Sequence, residues 1–309
     1  MSMFSLPSLS LVAVGLSGAV LLVLLLVLHQ LQLLSGPAVR GKHHAWKKDE
    51  DPALVSDSSP LLVALDKVQF TLLSMLSRRI SPVLFPPPLT DLNFYSVEEH
   101  PGVSGLVAVT IDDCFCRQND PKRSLMPPVR AMIKKSGHRV TFFTTLQYAK
   151  GEWREKEIRE FVKDGHELGN HCKDDREYDN EDVEVFASDL DETSSFIKKM
   201  CGSAPKWFRA PSGKISPGMS AELKKRDMLH VMLDGYANDP HIPDARFIAS
   251  TMLRAATDGS VLIIHMPESG FREWCFEAID LLLKGLKAKG LKSVTLSELK
   301  EAAEGKKTK

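Results

Sequence analysis

Asp112 and Asp113 stand side by side at the end of the apolar run Leu106-Val-Ala-Val-Thr-Ile111. Adjacent carboxylates leaving a strand point in different directions, so one can hold a metal while its neighbour takes a proton. His171 has a carboxylate four positions on, Asp175, that can face the same ion. Asp, His, Asp and a water make a plausible open zinc or cobalt site. A bound metal lowers the pKa of its water toward neutrality and so makes a nucleophile. Asp112 would deprotonate that water and His265 would protonate the departing group. These residue types spell metal-assisted hydrolysis.

Such residues must be positioned by a regular scaffold. Short apolar runs rich in β-branched and aromatic residues fall at 106–111, 139–143, 166–169, 206–208, 229–233, 260–264 and 292–295. Candidate helices lie between them, near 124–136, 154–164, 183–200, 216–226, 244–256 and 271–289. This alternation predicts parallel strands with helical crossovers. Seven such units in about 200 residues are too many for a small open sheet, and a (β/α) barrel, complete or not, fits better. Chemistry should then gather at the C-terminal ends of the strands. Ionisable groups do fall there: Asp112-Asp113, Asn170 to Asp175, Arg209-Ala-Pro211, Asp239-Pro-His241 and His265. Any one of them reads equally well as a solvated loop charge, whereas together they point to one barrel mouth.

At these residues the sequence resembles the polysaccharide deacetylase family, the NodB-homology esterases that include chitin and peptidoglycan deacetylases. Thr110-Ile-Asp-Asp113 is similar to its Thr-Phe-Asp-Asp motif, and Gly165-His-Glu-Leu-Gly-Asn-His171 to the approach to its His-x-x-x-His motif. Trp207-Phe-Arg-Ala-Pro211 looks like its Arg-x-Pro motif, Asp239 stands where its Asp-Trp motif falls, and Leu262-Ile-Ile-His265 resembles its closing Leu-x-x-His. The resemblance implies a distorted (β/α) barrel of about seven strands that hydrolyses an N-acetyl or O-acetyl group on a sugar or polysaccharide. It implies Asp112 as base, oriented by Arg209, and His265 as acid, with Asp239 raising the pKa of that histidine. Asp113, His171 and Asp175 would hold a divalent metal, zinc first, with cobalt, manganese or nickel as alternatives. The backbone N–H of Ser212 would help hold the oxyanion.

Four departures from the family pattern stand out. Asp175 replaces the second histidine, with Asp174 as its competitor, and a second carboxylate leaves the bound water less acidic. Cys114 replaces the usual glycine, with Cys116 and Cys172 nearby. Pro240 takes the usual tryptophan position and Ile263 the pocket leucine, which alters the acetyl pocket beside Pro211. Ser212 stands where an aromatic residue is common. These changes keep two alternatives in view: a non-catalytic carbohydrate-binding protein on the same barrel, and a hydrolase of non-sugar amides.

The whole 309-residue chain sets outer bounds. Hydrophobic residues at 43% and charged residues at 26% exclude a disordered or fibrous chain. Lys plus Arg and Asp plus Glu are 40 each, so no basic excess suggests nucleic acid. Five scattered cysteines without a C-x-x-C pair exclude a disulfide scaffold and a zinc ribbon. Leu9 to Leu28 is twenty uncharged residues, enough to span a hydrocarbon core of about 30 Å. Residues 1–35 are therefore expected to be a transmembrane anchor or signal sequence, and the protein a single-pass membrane protein. Arg40, Lys42, Lys47 and Lys48 place the following domain in the cytosol by charge bias, whereas the family places it outside. Residues 36–60 read as a linker, 61–105 as a helix and Pro-rich lead-in, 106–300 as the catalytic domain and 301–309 as a basic tail. An acetylated carbohydrate is the expected partner, and no protein partner is indicated.

Overall fold

The computed structural model describes residues 60–87 and 89–305. Its hub is β1, Leu106–Cys114, which is buried from Val107 onward. Burial on both faces is why this strand reads as a continuous apolar run and not as an alternation. β1 pairs in parallel with β2 (Thr141–Thr144) and, on its other edge, with β6 (Val261–His265), while β7 (Lys292–Ser293) pairs with the start of β1 on the β2 side, where Arg139 N–H donates to Ser293 C=O at 3.0 Å. β3 (Glu167–Asn170), β4 (Trp207–Phe208) and β5 (Leu229–His230) continue from β2. The order is β5-β4-β3-β2-β1-β6, with β7 beside the start of β1. The result is a curled, all-parallel α/β half-barrel, which fits the distorted (β/α) barrel expected from the sequence.

The described helices carry the chain back between strands, and their ends are written locally. The helix at Met126–Ser136 has proline in its first turn, where no amide partner is lost, and stops at Gly137 with φ 76°. The helix at Pro217–Lys225 starts on Ser216, whose hydroxyl accepts from Met219 N–H. At Leu296–Ala303, Thr295 and Glu298 form a reciprocal capping box.

β5 and β6 do not pair with each other. The seam between them is filled by the chain that precedes β1. Asp91 N–H donates to His230 C=O at 2.8 Å, Met232 N–H to Leu92 C=O at 2.8 Å, and Tyr95 N–H to Gly259 C=O at 3.0 Å. Gly235 bridges to Leu262 on the β6 side. Upstream, α1 (Pro60–Met75) and α2 (Ser77–Leu84) lie against the same side of the barrel. Lys67 pairs with Asp244 at 2.6 Å, Arg254 donates to Ser74 at 2.9 Å, and Ser81 donates to Leu233 C=O. Arg78 reaches the buried Asp234 at 3.1 Å. Burial pushes the Asp234 carboxyl up to about 6 against the lowering pull of Arg78.

The expected single-pass membrane placement is corrected here. Among the described residues no helix is long and apolar enough to cross a membrane. The Leu9–Leu28 run on which that expectation rested lies outside the described residues.

Candidate active site

A strand sends successive side chains to opposite faces, yet Asp112 and Asp113 both line one cavity of about 470 Å³ at the C-terminal rim. The backbone explains this, because Asp113 sits at φ 54°, a left-handed turn that breaks the alternation. Arg209, just beyond β4, spends its donors on fixing Asp112. Its Nη1 reaches Asp112 Oδ1 and Thr110 Oγ1, both at 2.7 Å, while Nε and Nη2 donate to Val231 and Met232 carbonyls. The guanidinium also lies 4.2 Å from the Phe143 ring centre. Arg209 is buried, and burial pulls its pKa down against the raising effect of Asp112.

Opposite, β6 delivers His265 in direct register with Asp112. Asp239 accepts the His265 backbone N–H at 2.9 Å and faces Nδ1 at 3.1 Å. Asp239 is in turn held by Trp274, whose Nε1 donates to its carbonyl at 2.7 Å. Burial alone would push the imidazole down, but Asp239 wins and raises it above its ordinary value. Burial likewise raises Asp239, and the nearby His265 outweighs that and lowers it. With Nδ1 committed to Asp239, Nε2 is the atom left to hand over a proton.

The third group differs from the sequence expectation in one decisive respect. Asp113, His171 and Asp175 all line the cavity, but arginines stand among them. Arg117 Nη2 lies 2.6 Å from Asp113 Oδ2 and 2.9 Å from Asp175 Oδ2, while Arg272 Nη1 lies 2.7 Å from Asp113 Oδ2. His171 Nδ1 faces the Arg209 carbonyl at 2.8 Å, so its Nε2 turns to Asp113 Oδ1 at 3.4 Å. Burial would raise the Asp113 carboxyl, yet Arg117 and Arg272 hold it well below the usual range. Burial lowers His171, and the hydrogen bond with Asp113 reverses that to a net rise. Asp174 stays outside the cavity, 3.8 Å from Arg176.

Other expected pocket residues take their places. Ser212, Pro240 and Ile263 line the cavity, and Pro211 is buried but does not line it. Ser212 sits at φ 57°, and the surrounding turn uses the N–H groups of Gly213 and Lys214 but not its own. That leaves the Ser212 N–H available to an oxygen. Cys114, Cys116 and Cys172 are free and buried, and burial pushes all three thiols up. The opposite wall comes from the lead-in, with Phe70, Leu73, Ile80, Leu84 and Phe85.

The motifs thus converge on one rim, and the polysaccharide deacetylase family pattern matches residues 100–230. The chain carries a polysaccharide deacetylase domain. A peptidoglycan-N-acetylglucosamine deacetylase of Bacillus cereus is 24% identical over 204 residues, 65% of this chain and 70% of that protein. A family 4 acetyl xylan esterase from Clostridium thermocellum, solved with a cobalt ion, is 29% identical with a TM-score of 0.54, covering 65% of this chain and 93% of that one. A CE4 family pseudoenzyme from Bacillus anthracis matches in fold, with 21% identity, a TM-score of 0.55 and coverage of 63% and 65%. The polysaccharide deacetylase family hydrolyses amide C–N bonds, and the enzyme class expected from the sequence, a hydrolase of carbon–nitrogen bonds other than peptide bonds, stands.

Deacetylases of this family depend on a divalent metal, so the donor set must be tested against one. Among the described residues no three His, Cys, Asp or Glu side chains form a group able to hold an ion. Asp113 and Asp175 instead share Arg117. A like charge at ~4 Å costs on the order of 4 kcal/mol per unit charge at an effective dielectric of about 20, so a dication beside two guanidiniums is opposed twice. The residues present do not fit the metal centre expected from the sequence.

Arg117, Arg272 and Tyr148, whose hydroxyl is 3.4 Å from Asp175, escaped the sequence reading. A signal for Arg117 existed, since a cation four residues after a paired carboxylate, on a rim loop, is placed to turn back on it.

Proposed function

We propose that the domain hydrolyses an acetyl group from an N-acetylated or O-acetylated sugar or polysaccharide. The observation that carries this reading is the direct register of Asp112 on β1 with His265 on β6, each held by its own buried partner. Asp112 takes a proton from water as the oxygen attacks the acetyl carbonyl. The N–H of Ser212 faces the developing oxyanion. The bond from the carbonyl carbon to nitrogen or oxygen then breaks, His265 protonates the leaving group, and acetate departs. The zinc-bound water expected from the sequence is not carried into this scheme, because Arg117 stands between its ligands.

A second reading, a non-catalytic carbohydrate-binding domain, is favoured by that same arginine. Acetate release separates the two. The full chain is incubated with chitin oligosaccharides, peptidoglycan fragments and acetylated xylan, beside its Asp112→Asn variant. Acetate from the wild type and none from the variant supports hydrolysis. Sugar binding without acetate from either sinks it in favour of the binding domain.

A further inference from the structure

We propose that this site takes no divalent metal, because its positive charge is built in as a guanidinium pair, Arg117 and Arg272, set against Asp113. Three features make Arg117 a seated occupant and not a side chain that has drifted in. Its guanidinium lies between two rings, 4.8 Å from the centre of Tyr148 and 4.5 Å from that of Phe271. It bridges two carboxylates, at 2.6 Å from Asp113 and 2.9 Å from Asp175. Its own backbone N–H is held at 2.9 Å by Glu268, a buried carboxylate that also accepts from Gln118 N–H. Both carboxylates are reached through one nitrogen, Nη2, and stacking between two rings is what a planar guanidinium offers and an ammonium does not. Flanking rings and buried carboxylates together form a socket shaped for it.

Arg272 plays a different part in the pair. It lines the cavity, whereas Arg117 does not, and its buried Nε–H has no hydrogen-bond partner among the described residues. Its charge therefore borders the space a bound acyl group would enter, where a fixed cation stabilises negative charge developing on oxygen. Asp113, which the family resemblance makes a metal ligand, here anchors that cation at 2.7 Å, with His171 Nε2 3.4 Å from its other oxygen.

The test uses the full chain and the metal alone, and needs no substrate. Cobalt(II) is titrated into the purified protein while its visible absorption is followed, with elemental analysis after desalting. Wild type is expected to retain neither cobalt nor zinc, while Arg117→Ala frees Asp175, leaves only Arg272 on Asp113, and gains a cobalt spectrum. Arg117→Lys keeps the charge but not the stacking between Tyr148 and Phe271, and should admit cobalt to an intermediate extent. Near-stoichiometric metal in the wild type overturns the inference whatever the variants do, and so does an Arg117→Ala protein that folds without gaining cobalt. Where acetate release is observed, it should persist in a chelator; its abolition there also overturns the inference. Absence of any acetate release would remove the hydrolase reading and leave the cobalt result to stand by itself.

Discussion

At the scale of single residues, the rim is a set of opposed charges, each holding another in place. The His265–Asp239 pair shows what this does to pH dependence. His265 titrates above its ordinary 6.5 in the folded chain. The charged pair therefore adds stability that is complete below pH 6.5 and is lost as pH rises through the higher folded value. A general acid must carry its proton, so turnover falls over the same interval. Replacing Asp239 by Asn removes the cause of the rise and should move the alkaline fall of both turnover and His265 titration to lower pH. An unchanged alkaline limb, followed by rate or by imidazole NMR, would contradict the acid assignment. Asp112, Asp113, His171, Arg209 and His265 were legible in the sequence because each ends a strand. Arg117 left only the weak signal of its place four residues after Asp113, because its socket of Tyr148, Phe271 and Asp175 is assembled from distant parts of the chain.

At the scale of elements, the seam strand is held by backbone bonds, and its weak point is a glycine. Gly259 has φ 76°, and a Cβ there would lie 2.1 Å from the Tyr95 carbonyl oxygen. Only a residue without a side chain admits Tyr95 so close. Gly259→Ala combines a left-handed penalty with a backbone clash and should cost about 3 kcal/mol or more. Urea unfolding measures it, and a change below about 1 kcal/mol would mean the seam is not under tension from that contact. Here too the sequence told part of the story. The seven strands were readable from their apolar runs, but β5 stops at His230, short of the run that continues to Leu233. Val231 and Met232 give their carbonyls to Arg209, and Met232 gives its N–H to Leu92. Those bonds are made by atoms every residue has, so no side-chain period announces them.

At the scale of the whole molecule, residues 60–105 are part of the barrel and not a prelude to it. The family pattern begins at residue 100, past the segment that fills the seam. A chain cut to begin near residue 96 would leave β5 and the start of β6 with unmade hydrogen bonds, and would uncover one wall of the cavity. Such a chain should melt several degrees below one that begins at residue 60, with a broader transition. Equal melting by calorimetry would show the seam to be dispensable. The seam also sets an order of events during synthesis. Asp91 must wait for His230, 139 residues later, before either finds its partner. At roughly 5–20 residues per second that wait is on the order of ten seconds. Over that interval Phe70, Leu73 and Ile80 have no cavity to line, so the nascent chain offers the apolar face of α1 and α2 to any chaperone at the ribosome exit until the fifth strand emerges.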